Sequence, residues 1–258
     1  MPCTKVNNTF SSWSEIFSGV PQGSILGPLL FNIYINDLFF FIDESTVTNF
    51  ADDTTPYENG KKLNEVIGKL ESKSMVLEKW FADNYFKMNA DKCHLLVPKH
   101  SDDVSIKIND EILKGEKTVK LLGIKIDNNL DFKEHIASLC KNVSQKLHAL
   151  SRISSFIEEK KLRILMKAFI ESQFSYCPLI WMFHGSRTLE NRINSLHERA
   201  LRISYRDSHS TFEELLKKDE SFHIHERNLQ RLATEMFKTK NNLAPSFMKN
   251  VPPNQLNW

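Results

Sequence analysis

Cysteine is scarce and unpatterned in this 258-residue chain: Cys3, Cys93, Cys140 and Cys177 form no CxxC pair. That speaks against a disulfide framework or a zinc module and fits a reducing compartment. Histidine offers no metal spacing either. His223 and His225 flank Ile224 with no further ligand nearby in sequence, so no metal is assigned to them. His135 and His197 read as capping or surface groups. No charged start followed by a short apolar core opens the chain, so no secretory leader is expected, and the location expected is intracellular, in nucleus or cytoplasm. No uninterrupted membrane-length apolar run occurs. The longest greasy stretch, "ILGPLLFNIYINDLFFFI" (25–42), is broken by Asn32, Asn36 and Asp37, which argues against a span. It reads as a buried core helix and the turn after it. There are no internal repeats and no low-complexity linker.

What is present is ordinary globular composition, 41% apolar and 26% charged. The length suits one large domain or two modest ones. The net charge of +2 hides an uneven distribution. Residues 1–132 carry 14 Lys/Arg against 19 Asp/Glu, a net of −5. Residues 133–206 carry 13 against 6, a net of +7, and residues 207–258 carry 7 of each. Two readings of the basic block stay open: a solvated helical face, or a surface that meets phosphates.

Along the chain, Asn7-Asn8 lies between short β-prone stretches and predicts a hairpin. In "SGVPQGSILGPLLFNIYINDL" (18–38), glycine and proline crowd the first half. They forbid a helix before about Gly27 and allow Pro28 in a first helical turn. "STVTNFADDTTPY" (45–57) is strand-prone on both sides of Asp52-Asp53, which predicts a hairpin with the two aspartates at its tip. Phe50 and Ala51 are expected to pack into it. Leu63, Val66, Ile67, Leu70, Leu77, Trp80 and Phe81 fall at helical spacing. Residues 84–97 read as a loop into a strand. The alternation of Val104, Ile106 and Ile108, and of Ile124 and Ile126, predicts a small antiparallel set. From about Phe132 the pattern is helical. Leu162, Leu165, Met166 and Phe169 form one apolar stripe, and Leu189, Ile193, Leu196 and Ala200 another, with "CPLIW" (177–181) breaking between them. On the helix around 156–171, Lys160, Arg163 and Lys167 project together to the side opposite the first stripe, with Glu171 ending their face. Residues 211–240 turn helical again, and the final "VPPNQLNW" is expected to fray. The fold class expected is α+β.

Here the motifs carry a resemblance. "SGVPQGSILGPLLFNIYINDL" followed by "FADDT" resembles the reverse transcriptase of non-LTR (LINE-type) retrotransposons. Adjacent aspartates alone are common, and their bland reading is a capping turn. A Gly-x-Pro-Gln-Gly loop opening a helix, with xADD on a hairpin shortly after, is a specific combination. "KWFADNYFKMNADKCHLLV" (79–97) resembles the family's next motif, "VKLLGIKIDNNLDFKEHI" (119–136) its primer-grip region, and "SQFSYCPLIWMFHGSRTLENRINSLHERALRI" (172–203) its thumb-side helices. Residues 224–248 are similar to the tails of such elements.

The resemblance implies an RNA-directed DNA polymerase that takes an RNA template, a DNA primer and deoxynucleoside triphosphates, with Mg2+ or Mn2+ as cofactor and no membrane. Polymerases of this kind clamp the reacting oxygens between two divalent cations, and hard cations prefer carboxylate oxygens. Asp52 is then the inner metal ligand and Asp53 the outer. Gln22 and Gly23 match the loop against template and nucleotide, where a glycine lets backbone approach closely. Lys92 matches a lysine near the nucleotide phosphates; its bland reading is a solvated loop lysine. Leu122 and Gly123 match the primer-grip tip, against an ordinary edge hairpin. Lys160, Arg163 and Lys167 fall on the thumb face beside the nucleic acid. The implied layout is a partial palm over 1–132, a basic helical thumb over 133–206 and a helical tail of unassigned role over 207–258. The family's third aspartate belongs to an earlier palm strand, and the 17 residues before Ser18 contain one acid, Glu15. The chain is therefore expected to be an N-terminally truncated portion, inactive alone, with self-association through an unpaired sheet edge. The alternative is a non-catalytic nucleic-acid-binding remnant of a transposon.

Overall fold

The structure, a computed structural model, describes residues 3, 5–12, 15, 19–20, 23–42, 46–99, 104–108, 111–184 and 187–245. The fraying expected for 251–258 lies outside them. The chain is mixed helix and small antiparallel ladders, in two compact units: Met1–Leu95 with Ser101–Gly115, and Leu96–His100 with Glu116–Trp258. Among the described residues the strands form four separate two-stranded ladders and no larger sheet. The antiparallel set expected over 104–127 is thus two independent hairpins that fall in different units.

In the first unit, strands β1 (Lys5–Val6) and β2 (Thr9–Phe10) close around Asn7, whose φ is +53°. Helix α1 spans Gly27–Ile35 with Pro28 in its first turn, where the missing N–H costs nothing. A Cβ at Gly27 would come within 2.9 Å of Ser24 Oγ, so the loop packs tightly onto the helix start. A short helix α2 (Leu38–Phe41) follows, then β3 (Val47–Phe50) and β4 (Asp53–Pro56), paired from Val47↔Pro56 to Phe50↔Asp53. Helix α3 (Leu63–Asp83) buries Leu77 and Trp80. They join Ile35, Leu38, Ile42 and Val47 in one core, with Phe31, Phe39, Phe81 and Phe86 packed around it. Phe86 is its hub: it stacks on Trp80 at 6.1 Å and meets Phe31 and Phe81 edge-on at 6.2 and 6.0 Å. Strands β5 (Ser105–Ile108) and β6 (Glu111–Lys114) complete the unit, with Ile106 and Ile108 facing in.

Two expectations are corrected here. The 25–42 stretch is not buried throughout: Ile25 is 96% exposed and Phe40 83%, and Leu29, Leu30 and Ile33 also face outward. A nine-residue helix that is apolar all round can turn only one face to a core, and Ile35 lies on that face. Residues 84–97 form no strand. A 3-10 turn at Ala90–Lys92 leads to a single bridge, Leu95↔Gly115.

The second unit opens with β7 (Thr118–Leu121) and β8 (Ile124–Asp127). The Asp127 carboxylate then accepts the backbone N–H groups of Asn129, Asp131 and Phe132 at 3.0, 3.2 and 2.8 Å. This network holds buried Phe132 at φ +54° and launches helix α4 (Lys133–Ile153). Helix α5 (Glu159–Met166) passes through a π turn at Lys167–Glu171 into a short α6 (Ser172–Phe174). Helices α7 (Pro178–Trp181), α8 (Arg187–Tyr205), α9 (Phe212–Asp219) and α10 (Ile224–Lys240) complete the unit. α9 starts on a capping box between Thr211 and Glu214. The stripe on α8 is buried or packed on the core as expected. The stripe on α5 is not as expected: Leu162 and Met166 are buried, but Ile170 and Phe174 continue it, and Phe169 is 54% exposed. The π turn inserts one residue and rotates the next stretch of helix about its axis. None of the described helices is long and apolar enough to cross a membrane.

Candidate functional site

The β3–β4 hairpin closes through a two-residue loop, Ala51-Asp52, and Asp53 opens β4. Ala51 takes φ +53°, a left-handed conformation that tight hairpin loops demand and that costs a non-glycine residue about 1–2 kcal/mol. The Asn49 side chain braces it: its Nδ2–H donates to the Ala51 carbonyl at 3.1 Å, and its Oδ1 accepts the Thr54 hydroxyl at 2.7 Å. Phe50 is 65% exposed, which corrects the expectation that it packs inward; the core-facing register position is Val47. The root of the hairpin is held by Lys73 of α3. Its ammonium pairs with Glu58 at 2.5 Å and donates to the carbonyls of Tyr57 at 3.1 Å and Thr46 at 3.4 Å. Those two residues flank the strands, and the Tyr57 N–H extends the ladder to Thr46 O. Asp52 and Asp53 are exposed, and among the described residues no side-chain hydrogen bond or ion pair engages their carboxylates.

Two adjacent carboxylates at a braced tip have the right donor chemistry for a hard divalent cation. Their number does not suffice. Among the described residues no group of three acidic, histidine or cysteine side chains is placed to hold a metal. The described residues therefore do not complete a two-cation site.

Gln22 lies outside the described residues. Gly23 is exposed at φ +83°, and a Cβ there would meet nothing within 4 Å, so the backbone turn rather than a close contact calls for glycine. Lys92 ends the 3-10 turn on the surface. The Asn89 side chain caps that turn by accepting the Asp91 N–H at 3.1 Å. Gly23, Asp52, Asp53 and Lys92 all belong to the first unit, and Leu122, Gly123, Lys160, Arg163 and Lys167 to the second.

In the second unit, Leu122-Gly123 is the two-residue loop between β7 and β8, with φ of +45° and +86°. Positive φ at both positions is the type I′ signature. Gly123 suits it; Leu122 is strained there by about 1–2 kcal/mol. The Tyr176 hydroxyl donates to the Leu122 carbonyl at 2.5 Å. Just past the tip on β8, the Lys125 N–H donates to His135 Nδ1 at 3.4 Å. Burial, then the Lys125 charge, holds the His135 ring below its ordinary pKa, so the ring stays a neutral acceptor.

The basic face departs from the expected geometry. Lys160 is exposed and no described residue pairs with it. Arg163 is turned inward onto Asp219 of α9: its Nε and Nη2 donate to Oδ1 at 3.1 and 2.8 Å. The Asp219 side chain is fully buried, and the Tyr205 hydroxyl donates to the same oxygen at 2.8 Å. Burial and that bond push the Tyr205 pKa above its ordinary range. Lys167 stands 3.9 Å from the other Asp219 oxygen and is half exposed. Glu171 does not end an outward face. It is buried and accepts Arg227 Nη1 of α10 at 2.6 Å. His197 is fully buried 3.8 Å from Glu171, which corrects its surface reading.

Lys73, Tyr176, Asp219 and Arg227 are site residues that sequence patterns do not single out. Lys73 leaves a signal: it sits within the stripe 66–70–73–77–80 of α3, on a side that is otherwise apolar. Asp219 and Arg227 each meet partners 56 residues away, and no local pattern marks them.

Residues 1–126 match the family described as reverse transcriptase (RNA-dependent DNA polymerase). The chain is 27% identical over 150 residues to the RNA-directed DNA polymerase from mobile element jockey of Drosophila melanogaster, covering 55% of this chain and 16% of that protein. It is 26% identical over 212 residues to the probable RNA-directed DNA polymerase from transposon BS of the same organism, covering 77% and 23%. A third relative, the retrovirus-related Pol polyprotein from type-1 retrotransposable element R1 2 of Nasonia vitripennis, is 26% identical over 176 residues, covering 63% and 43%. The chain thus spans less than half the length of each of these relatives. No solved structure matches it. Over residues 1–126 the chain is thus similar to the reverse transcriptase family, and over most of its length it resembles the RNA-directed DNA polymerases of non-LTR retrotransposons.

Proposed function

We propose that this chain is the palm-and-thumb portion of an RNA-directed DNA polymerase, with residues 1–132 serving as partial palm, 133–206 as thumb and 207–258 as a helical tail. One observation carries this reading. The adjacent carboxylates Asp52 and Asp53 stand unpartnered among the described residues, at the tip of a braced, root-clamped hairpin, inside the stretch that matches the family. In that role the chain engages an RNA template, a DNA primer and deoxynucleoside triphosphates inside the cell, and the divalent ion of the assembled enzyme is Mg2+ or Mn2+. Asp52 and Asp53 bring two of its oxygen ligands. Gln22, Gly23 and Lys92 line the nucleotide side, and Leu122-Gly123 the primer side. A second reading, a nucleic-acid-binding chain without catalysis, is favoured by the want of a third acid beside the pair among the described residues.

Both readings require duplex binding. Phosphate contacts release counterions, so affinity for a labelled RNA–DNA hybrid should fall with salt, at a log–log slope of about −0.9 per phosphate neutralised. Changing Lys160 and Lys167 to Gln should make that slope shallower by about two units if each touches a phosphate. Arg163 is left out of the pair because its guanidinium already serves Asp219. An unchanged slope returns this surface to an ordinary solvated helix face. A protein that ignores the hybrid even at low salt refutes both readings.

The hairpin ladders leave strand edges unpaired among the described residues, Phe50 on β3 is exposed, and so are Ile25 and Phe40. Unpaired edges and apolar surface favour association. The chain should sediment as a dimer or larger species at tens of micromolar, with contacts near residues 45–57. A monodisperse monomer with a cooperative melt overturns this.

A further inference from the structure

The Leu122-Gly123 tip is strained, and among the described residues the side chain that tethers it is aromatic. Besides the hydroxyl bond to Leu122 O, the Tyr176 ring lies under the loop: a Cβ built on Gly123 would be 3.6 Å from Tyr176 Cε1. Tyr176 is in turn held from behind. Its carbonyl accepts the indole N–H of Trp181 at 3.0 Å, and Trp181 is fully buried. The Trp181 ring lies 5.8 Å from His135, the acceptor for the Lys125 N–H just past the tip of the same hairpin. The hairpin is therefore held at its tip and just beyond the tip on β8 by two groups that meet at one tryptophan. Cys177, next to Tyr176, takes φ +44°, so the segment that carries the tyrosine is itself shaped away from helix. The preceding carbonyl, Ser175 O, accepts Arg231 Nη1 of α10 at 3.0 Å.

We propose that Tyr176 is a positioning residue for the Leu122-Gly123 tip, and that α10, through Arg231 on Ser175, sets where the tyrosine stands. This gives the C-terminal helix a part in primer handling and rests on the primer-grip reading of β7–β8. A tip that must touch the sugar–phosphate backbone of a primer end cannot tolerate a choice of loop conformations. A leucine at positive φ has such a choice once its carbonyl is released. The hydroxyl removes the choice, and the helix behind it fixes the hydroxyl.

Two measurements on the full chain separate the parts of this inference. The first is amide hydrogen exchange at Leu122, Gly123 and Ile124 without nucleic acid. Tyr176→Phe keeps the ring and deletes only the hydroxyl, so exchange there should quicken about fivefold, the factor expected for one lost hydrogen bond. Arg231→Gln should quicken the same amides, while those of α4 stay unchanged. Unaltered exchange in Tyr176→Phe overturns the positioning role. Equal quickening across the whole unit overturns it too, since that marks general destabilisation. The second is the ratio of affinities for an RNA–DNA hybrid with a recessed primer 3′ end and for a blunt hybrid. The parent should prefer the recessed end, and Tyr176→Phe should lose about fivefold of that preference with blunt-end affinity intact. A parent without any preference refutes the primer-grip reading alone, because the exchange result still decides whether Tyr176 sets the tip.

Discussion

On a poly(rA) template primed with oligo(dT), the 258-residue chain alone is expected to give no extended primer, with magnesium or with manganese. Phosphoryl transfer of this type depends on cations held in place on both reacting oxygens. The hairpin tip offers Asp52 and Asp53, and the described residues bring no third ligand to them. Loss of one preorganised electrostatic contact commonly costs a hundred- to a thousandfold in rate, about 3–4 kcal/mol of transition-state stabilisation. A missing ligand that also leaves a cation unplaced should cost at least that. The decisive control is Asp52→Ala. Template-dependent synthesis by the parent that vanishes in this variant would show that another carboxylate completes the site. Asp37 is one candidate, since its Oδ1 is buried without a hydrogen-bond partner. Asp43, outside the described residues, is another, and a carboxylate from a second chain is the third.

The second large effect concerns the fastening of α10. Burial alone would raise the Glu171 pKa, but the His197 ring and the Arg227 guanidinium outweigh it and hold the carboxyl at about 2. The folded value lies below the ordinary one of 4.5. The resulting stabilisation is thus fully present above pH 4.5 and is lost as pH falls towards 2. A depression of that size corresponds to about 3 kcal/mol. Arg227→Gln leaves a buried carboxylate without its cation, which costs about 3–5 kcal/mol. Chemical denaturation at pH 7 should show a loss of that order, with a melting temperature lower by about 6–12 °C. The gap between parent and variant should narrow as pH falls from 4.5 to 2, because the parent's ion-pair stabilisation is progressively lost over that interval. Adding Glu171→Gln should recover most of the loss, since no unpaired charge remains. If Arg227→Gln melts like the parent at pH 7, the pair contributes nothing to folding.

Local signals in the sequence are reliable where one segment decides its own shape. Turn chemistry around Asn7-Asn8, a proline admissible only in a first turn, and strand-prone flanks around Asp52-Asp53 each give an element of the right kind in the right place. The stripe from Leu63 to Phe81 gives α3, because 3.6-residue spacing survives along a regular helix. The same spacing fails at Phe169, because the π turn breaks the period it relies on. The outward face of α1 is hidden for a different reason: apolar composition states an appetite for burial, not which face finds a neighbour. Arg163 reads as a free cation because its partner Asp219 lies 56 residues on. The candidate site is legible to the extent that its residues are consecutive, as Asp52-Asp53 and Leu122-Gly123 are. The supports, Lys73 and Tyr176, come from other elements and become visible only in the fold.

The Lys73 clasp gives the carboxylate hairpin the mechanics of a cantilever. One ammonium of α3 ties both strands at their root, through Thr46, Tyr57 and Glu58, while the far end carries two charges and no tether among the described residues. A beam clamped at one end bends most at the other, so residual displacement collects at Asp52 and Asp53. A ligand that engages both carboxylates props the free end, and a beam supported at both ends is far stiffer than one clamped alone. The stiffness of the β3–β4 tip is therefore itself a gauge of occupancy, readable from side-chain and backbone order at two residues without following any reaction.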